Sequence, residues 1–204
     1  MADWTQGAVQ TLLPKAAKVN ATDYYYVGSA CDVRTWDRGT IWIYHAYIEA
    51  AANDPPVTYQ IQVNHNTSDV AEYWATVIEL AAQTGACDTN ALDDTATGGT
   101  SVVPLAATTD FAVGDVIYIR GDSVLGEGEW HGIASISSAV SITLDSALTS
   151  SYSTDDDVFN DANRWVVNVD LAGVSFLRVQ CFNADATGAD WVCAAYGLFA
   201  TDYE

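Results

Sequence analysis

The stretch from Thr108 to Trp130 reads "TTDFAVGDVIYIRGDSVLGEGEW" and combines turn signals with β-strand patterns. Gly114-Asp115 is a turn signal, and the apolar, β-branched run that follows it is typical of a strand. Gly121-Asp122 ends that run, and the glycines at 126 and 128 permit a chain reversal before a second strand that begins at Trp130. The stretch therefore predicts a strand, a turn and a strand.

The same stretch contains short patterns that also occur at functional sites. Gly121–Ser123 matches a hydrolase block, Arg120–Asp122 matches a cell-adhesion tripeptide, and Glu127 with Glu129 forms a carboxylate pair of the kind used in sugar hydrolysis. A nucleophilic serine requires a nearby base and an oxyanion hole. Hydrolases with this block also carry a late Asp-x-x-His, which this sequence lacks. We therefore expect no catalytic residue here.

Other polar candidates have structural interpretations. His45 lies among aromatic residues and is expected in the core, whereas His65 lies at a strand end and is expected in a turn. The acidic residues of one linker could bind calcium, which takes several oxygen ligands. They lack the spacing of an EF-hand, however, and therefore indicate a solvated segment. These residues are Asp155, Asp156, Asp157 and Asp161. We expect no metal and no cofactor.

The four cysteines are not spaced as a C-x-x-C motif. A hairpin centred near Thr187 would place Cys181 opposite Cys193. Two interpretations remain for this pair, a disulfide bond or two small buried thiols.

Charge and hydropathy exclude several classes of protein. The chain of 204 residues has a net charge of −20, with 7 cations against 27 carboxylates, so free nucleic acid would be repelled. Its longest apolar runs are too short to span a bilayer, and its first residues lack the pattern of a signal peptide. We expect neither nucleic acid nor membrane as a partner.

The chain divides by composition into an arm, a large β-domain and an insert. Residues 1–29 show no persistent helical or strand period and predict an extended N-terminal arm, pinned onto its own core or onto a neighbour. Long aromatic strands before residue 84 and after residue 163 predict one β-sandwich, at 30–96 plus 159–204. Shorter strands between two polar linkers predict a small β-domain inserted at 97–158. A single elongated sandwich with a long hairpin is the alternative.

Alternation assigns faces to several predicted strands. "VTYQIQV" places Tyr59, Ile61 and Val63 on one face. "EYWATVIEL" at 72–80 predicts a strand with Trp74, Thr76, Ile78 and Leu80 on one face, and a helix is the fallback. "RWVVNVDLAG" aligns Trp165, Val167, Val169 and Leu171, and "FLRVQCFN" aligns Leu177, Val179 and Cys181. The fold class predicted is all-β, a jelly-roll-like sandwich.

These segments together resemble virion structural proteins of tailed phages, in particular small β-sandwich proteins that decorate or cement capsids. The residues that carry the resemblance are "MADWTQGAVQTLL", "VTYQIQVNHNTSDVAEYWATVIELAA", the insert from "TTDFAVGD" to "LTSSY", and "LAGVSFLRVQCFNADATGADWVCAAYGLF". The piece with the clearest pattern is Phe111-x-Val113-Gly114-Asp115-x-Ile117-x-Ile119. The resemblance covers most of the chain and consists in the order in which these segments follow one another.

The resemblance implies a non-enzymatic role on the outer capsid surface of a virion, after synthesis in the host cytoplasm. The implied partner is the major capsid protein, and the implied assembly is a homo-oligomer, with a trimer ahead of a dimer. We expect the arm to bind the partner through Trp4, Leu12, Leu13, Lys15, Lys18, Tyr24 and Tyr25. The seven Trp and 11 Tyr residues leave an alternative, a carbohydrate- or receptor-binding module of a tail or fibre, because aromatic rings bind the apolar faces of sugars.

Overall fold

The described chain is built from β-strands. The computed structural model describes residues 4–21, 24–49, 56–68, 70, 73–82, 89–121, 128–160, 162–183 and 189–202, and no α-helix occurs in these ranges. In chain order the strands are β1 (Trp4–Gln6), β2 (Gln10–Ala21), β3 (Tyr24–Val27), β4 (Cys31–Asp32), β5 (Arg38–Glu49), β6 (Thr58–Asn64), β7 (Trp74–Ala81), β8 (Thr89–Ala91), β9 (Val102–Pro104), β10 (Val116–Arg120), β11 (Gly128–Ser137), β12 (Ser141–Leu144), β13 (Asp157–Phe159), β14 (Asn163–Asp170), β15 (Phe176–Asn183) and β16 (Ala189–Asp202). The all-β prediction is confirmed.

Two antiparallel sheets pack face to face as a sandwich. Sheet A has the order β1-β16-β5-β14, and β2 also pairs with β16. Sheet B has the order β3-β15-β6-β7, and β4 also pairs with β15. The inner faces enclose one apolar core, in which Tyr59 and Trp191 are the largest fully buried side chains. Burial of this apolar area is the main favourable term in the folding of the sandwich.

Strands with unbroken alternation have the faces that the sequence predicts. Tyr59, Ile61 and Val63 of β6 point into the sandwich core. The apolar residues of the two late strands lie there as well; they are Trp165, Val167, Val169, Leu171, Leu177, Val179 and Cys181. Because successive side chains of a strand point to opposite sides, the intervening residues lie on the outer faces.

β7 is a strand, as predicted, but its predicted face is wrong. The pairing of β7 with β6 shifts by one residue at Val77, which forms a bulge. A bulge inserts one unpaired residue and reverses the alternation beyond it. Ile78 and Leu80 therefore face the core, whereas Trp74 and Thr76 lie on the outer side with the outward residues of β6.

The first residues of the chain form regular strands within sheet A. β2 is 12 residues long and pairs with β16, with register shifts between Cys193 and Tyr196. These bulges bring the consecutive residues Leu12 and Leu13 both into the core, each with no exposed surface. A bulge interrupts the alternation of inward and outward side chains along a strand, and for this reason the sequence shows no period of two in this segment.

The remaining six strands form a third sheet with the order β8-β13-β10-β11-β12-β9. The sheet curls, so that Leu92 after β8 bridges Leu105 after β9. β10 pairs antiparallel with β11, which confirms the two strands predicted for the opening stretch. The predicted turn falls on residues 122–127, which lie outside the described ranges. Thr89–Ala91, which the sequence analysis placed in the sandwich range, pairs with β13 of this sheet.

The third sheet contacts the outer side of sheet A through a small apolar cluster. Tyr118 and Phe159 of the third sheet lie against Ala46 and Val192 of sheet A, and all four are buried. Trp130 bridges the two sides, with ring centroids 4.7 Å from Tyr118 and 5.4 Å from Tyr44. The contact places the third sheet at a defined position on the sandwich.

The cysteine pair does not lie in one hairpin. Cys181 belongs to β15 in sheet B and Cys193 to β16 in sheet A, so the expected opposition across a hairpin near Thr187 is wrong. Both are free thiols buried in the sandwich core. β15 and β16 belong to different sheets, which sequence spacing alone does not reveal.

Candidate functional site

Three of the expected arm contacts have described side chains. Leu12 and Leu13 pack in the sandwich core, so neither is available to a partner in this conformation. Lys15 lies on the outside of β2, where its Nζ donates to the backbone oxygen of Gly128 at 2.9 Å. Lys15 therefore ties the first strands to the start of β11.

Only the backbone of the other four arm residues is described. Trp4 in β1 pairs with Asp202, and Lys18 in β2 pairs with Trp191. Tyr24 and Tyr25 belong to β3, at the edge of sheet B. Binding of a partner by these residues stays a prediction.

The short motifs of the opening stretch lie only partly in the described chain. Asp122, Ser123 and Glu127 are outside it. Arg120 ends β10, forms an ion pair with Asp157 of β13 and places its guanidinium 5.1 Å from the centre of the Phe159 ring. These contacts give the arginine of the adhesion tripeptide a structural role between two neighbouring strands.

The acidic linker is organised by turns and strand pairs. Asp156 accepts from the backbone N–H of Ser153 at 2.7 Å, and Asp157 pairs with Arg120. Asp161 lies outside the described residues. Within the described ranges, no group of three or more His, Cys, Asp or Glu side chains is arranged to hold a metal ion.

Glu129 is the centre of a polar cluster that the sequence analysis did not predict. One carboxylate oxygen accepts from the backbone N–H of Ser150 at 2.7 Å and from the Tyr152 hydroxyl at 3.0 Å. The other accepts from the N–H of Thr149 at 2.8 Å. Burial acts to raise the pKa of Glu129, but these hydrogen bonds outweigh it and hold the pKa below its usual value.

His131 extends the cluster from Glu129 to the sandwich. Its Nε2 lies 3.2 Å from Glu129 Oε2, and its Nδ1 lies 3.0 Å from the Ser146 hydroxyl. Asp145 accepts from Ser146 at 3.1 Å and from Arg164 of β14 at 3.1 Å. Burial acts to raise the pKa of Asp145, yet its bonds from Arg164, Gly132 and Ser146 lower the pKa overall.

Ser146, His131 and Glu129 have the residue types of a catalytic triad, but their bonds fasten a loop. Both oxygens of Glu129 are engaged by the backbone and the hydroxyl of residues 149–152. Ser146 lies between His131 and a second carboxylate, Asp145. The cluster thus holds the loop after β12 against β11 and, through Arg164, against sheet A.

The other two histidines have the placements that the sequence predicts. His45 is fully buried, with Nδ1 at 2.7 Å from the Tyr59 hydroxyl and its ring packed on Tyr47 and Trp191. Burial lowers the pKa of His45 to about 3, so the ring is neutral. His65 is exposed after β6 and contacts the backbone oxygen of Gly173 at 2.9 Å.

The outer face of sheet B carries three glutamines in a continuous hydrogen-bonded row. Gln60 accepts from Gln180 at 2.6 Å and donates to Glu79 at 2.9 Å. Gln62 donates to Thr76 at 3.1 Å. Gln180 is only 2% exposed and Gln62 only 8%, although both lie on the outside of the sandwich. We call this surface the glutamine face; it comprises Val27, Gln60, Gln62, Trp74, Thr76, Glu79, Phe176, Arg178, Gln180 and Phe182.

Aromatic and arginine side chains border the glutamine row. Arg178 donates from Nε to Gln62 at 2.9 Å and lies 4.1 Å from the centre of the Trp74 ring. Arg34 covers Phe176 at 5.6 Å, and Phe182 is 39% exposed. Stacking of a guanidinium on a ring holds both groups in place.

The glutamine face is locally neutral on a strongly acidic chain. The charged residues of the face are Arg178 and Glu79, and the ion pair of Arg34 with Asp32 borders it, because Arg34 overlies Phe176. Two positive and two negative charges sum to zero, against −20 for the whole chain. An acidic partner that approaches this face therefore meets less electrostatic repulsion than it meets at the other surfaces of a chain with a net charge of −20.

Sequence analysis missed the glutamine face although its residues follow a visible pattern. Gln60 and Gln62 alternate with core residues in β6, and Arg178 and Gln180 do so in β15. The pattern indicates outward positions, but it does not show that the two strands are neighbours. Only the pairing of β6 with β15 turns four separate polar residues into one surface.

Comparison with known proteins finds distant structural similarities. No family model and no curated protein matches the sequence. The SPBc2 prophage-derived protein YomS aligns over 98% of this chain and 96% of its own, at 13% identity and a TM-score of 0.30. The VP2 protein of infectious bursal disease virus (D431N mutant, T=1 particles) aligns over 98% of this chain but 41% of its own, at 7% identity and a TM-score of 0.24.

At these TM-scores the similarities support no inference about function. Within the described residues, no helix has the length and hydropathy that are needed to cross a membrane. The function proposed below therefore rests on the surface chemistry of this chain and on the resemblance of its sequence.

Proposed function

We propose that this chain is a non-enzymatic virion structural protein that decorates or cements a phage capsid by binding the lattice of the major capsid protein. It would act on the outer capsid surface after synthesis in the host cytoplasm. The observation that carries the proposal is the glutamine face, a neutral, hydrogen-bonded surface on an otherwise acidic chain. The sequence resemblance to phage decoration and cement proteins gives the class of partner.

The glutamine face has the properties of a protein-binding surface. Side chains that are already held by hydrogen bonds and stacking lose little conformational freedom when a partner docks. Aromatic and arginine residues are the side chains most enriched where binding energy is concentrated. Phe182 and Val27 supply apolar area at its rim, since each is 39% exposed.

The acidic remainder of the chain fits a position outside the capsid shell. A net charge of −20 repels the packaged DNA. A neutral docking face on such a chain directs binding to one orientation. This distribution favours a protein that attaches to a lattice from outside in a fixed orientation.

The experiment is cosedimentation with assembled capsids of the phage that encodes the chain, together with a cryo-EM map of its virions. We expect saturable binding at a fixed copy number, with density on the capsid lattice. Phe182→Asp should weaken binding at least about tenfold, because an added charge is desolvated in the interface. Val140→Asp is the matched control, since Val140 is 60% exposed on the third sheet.

The outcomes of this experiment test the capsid role and the glutamine face separately. Density at the tail or neck alone would contradict the capsid role. Capsid density with unchanged binding of Phe182→Asp would keep the role and reject the glutamine face as its surface.

A second candidate function is a carbohydrate- or receptor-binding module of a phage tail or fibre. Side-chain amides, a guanidinium and aromatic rings in one surface are also the groups that bind sugar hydroxyls and apolar sugar faces. Glycan titration followed by Trp fluorescence tests this candidate. A saturable change that Trp74→Ala removes would favour it over capsid binding.

A further inference from the structure

The edges of the sheets differ in how far they are protected against pairing with another chain. An edge strand presents unpaired backbone donors and acceptors, and proteins blunt such edges with proline, lysine, bulges or short strands. β2, at one edge of sheet A, has Pro14, Lys15 and three register shifts against β16. β7, at one edge of sheet B, has the bulge at Val77 and an outward Glu79.

The other edges, with one exception, are short. β3 and β4 have 4 and 2 residues, and β8 and β9 have 3 each. β9 also includes Pro104, and the bridge between Leu92 and Leu105 joins the two ends of the third sheet. Each of these edges offers little continuous backbone to a partner.

β14 is the exception among the described strands. It has 8 residues, contains neither proline nor lysine, and pairs with β5 in an unbroken register from Asn163 opposite His45 to Asp170 opposite Arg38. No described strand pairs with its other side. Val166, near its middle, is 58% exposed. A long, regular edge with an exposed apolar residue is the kind that pairs with another strand.

We propose that the edge of β14 pairs antiparallel with β14 of a second copy of this chain, about a twofold axis at Val167, so that the two A sheets become one continuous sheet. In such a pair, the core-facing residues of one copy must lie opposite the core-facing residues of the other. This holds only when the residue numbers of two opposed residues add up to an even number, because a shift by one residue exchanges the two faces. With Val167 opposite Val167, Trp165 lies opposite Val169 on the core side.

Charge selects this register among those that keep the faces matched. Arg164 lies opposite Asp170 of the second copy, and the twofold axis makes this ion pair twice. Shifting the pairing by two residues toward Asn163 puts Arg164 opposite Asn168 and leaves Asp170 beyond the paired segment. Opposite charges directly across a strand pair stabilise it, and an aromatic residue opposite a β-branched residue does so as well.

Open space at the Asp170 end and unused donor capacity on Arg164 are compatible with this ion pair. A cavity of about 640 Å³ lies at the Asp170 end of β14, lined by Asp37–Thr40 and Asn168–Asp170. Arg164 donates to Asp145 through Nη1, and a guanidinium has five N–H donors, so a second carboxylate can also be bound. The twofold pair differs from the trimer that the sequence resemblance implies, and it does not depend on capsid binding.

The first test is the mass of the intact chain in solution, measured by light scattering after size exclusion at physiological salt. We expect twice the chain mass of 21.8 kDa. Val166→Lys should raise the dissociation constant at least about tenfold, since lysine on an edge opposes pairing. Val77→Lys is the matched control, because Val77 is 50% exposed on the edge of β7, and it should leave the dimer intact.

The second test addresses the register by charge reversal. Asp170→Arg and Arg164→Asp should each be monomeric, because like charges then meet twice. An equimolar mixture of the two variants should form a heterodimer, because every opposed pair becomes Arg with Asp. Circular dichroism of each variant alone checks that the β-structure is retained.

Several results would overturn the proposal. A monomeric wild type, a trimer, or a dimer that survives Val166→Lys would each do so. Folded charge variants that fail to associate on mixing would reject the register, and with it the twofold axis at Val167.

Discussion

At the scale of single residues, the core of the sandwich contains a histidine that stays uncharged. His45 lies between Tyr59, Tyr47 and Trp191, and its Nε2 has no hydrogen-bond partner among the described residues. Taking the charged ring out of water is costly, and burial therefore lowers the pKa of His45 to about 3. The histidine makes the free energy of unfolding depend on pH.

The direction of that dependence follows from the lowered pKa. Between about pH 3 and pH 6.5 the unfolded chain binds a proton at residue 45 that the folded chain does not bind, so stability falls as the pH falls through this window. We predict that lowering the pH from 7 to 5 costs the wild type about 2 kcal/mol more than it costs His45→Gln. Urea denaturation at both pH values, followed by Trp fluorescence, measures the difference.

His65→Gln is the control for this prediction, since His65 is exposed in a turn, and it should behave like the wild type. An equal pH dependence for wild type and His45→Gln would mean that His45 is not buried in the folded chain. The carboxylates with lowered pKa, Glu129 and Asp145, act at lower pH. They stabilise the fold above their ordinary pKa values and lose this contribution as the pH falls below them.

At the scale of elements, β2 joins the N-terminal segment to the core. Its leucines are fully buried, and Gly28 beyond it leaves no room for a side chain, because a Cβ there would lie 1.9 Å from the backbone oxygen of Leu12. Removal of residues 2–20 would remove β1 and most of β2. Loss of capsid binding after that truncation would therefore report loss of structure as much as loss of an arm.

We predict that Leu13→Ala lowers the free energy of unfolding by about 2–5 kcal/mol, because it leaves a cavity in the sandwich core. Gln10→Ala, on the exposed start of the same strand, should change it by less than about 0.5 kcal/mol. Chemical denaturation of the two variants measures both values. If Leu13→Ala were as stable as Gln10→Ala, β2 would be detached in solution and free to act as a partner-binding arm.

At the scale of the whole molecule, the sandwich and the third sheet meet at a small apolar cluster and at the polar cluster of Glu129. Polar bonds across this boundary include the one from Lys15 to the backbone oxygen of Gly128 and the one between Arg164 and Asp145. The side chains of Arg164 and Asp145 are 35% and 37% exposed, so the contribution of that pair is modest. The buried side chains of Tyr118 and Phe159 supply most of the apolar contact. The proposed division into a sandwich and an inserted domain can be tested at this contact.

We predict that the wild type unfolds in a single calorimetric transition and that Phe159→Ala separates it into two. Loss of a buried phenylalanine side chain costs about 3–5 kcal/mol, and here the loss falls on the contact between the two parts. Ile142→Ala, which lies within the core of the third sheet alone, is the control. A single transition for Phe159→Ala would show that the two parts do not unfold independently, and would count against an inserted domain.

The all-β class and the faces of strands with unbroken alternation, such as β6, β14 and β15, could be predicted from the order of residues alone. Alternation is a local property, because each residue's side depends only on its position along its own strand. For the same reason the sequence predicted His45 in the core and the two strands of the opening stretch.

Which strands are neighbours, and where their register shifts, became known from the three-dimensional structure. The bulges in β2 and at Val77 depend on partner strands far away in sequence, so Leu12 with Leu13 and the outward face of β7 could not be predicted from period alone. The glutamine face and the Glu129 cluster combine residues from different strands and loops. Such surfaces arise from non-local pairing, which the order of residues along one chain does not display.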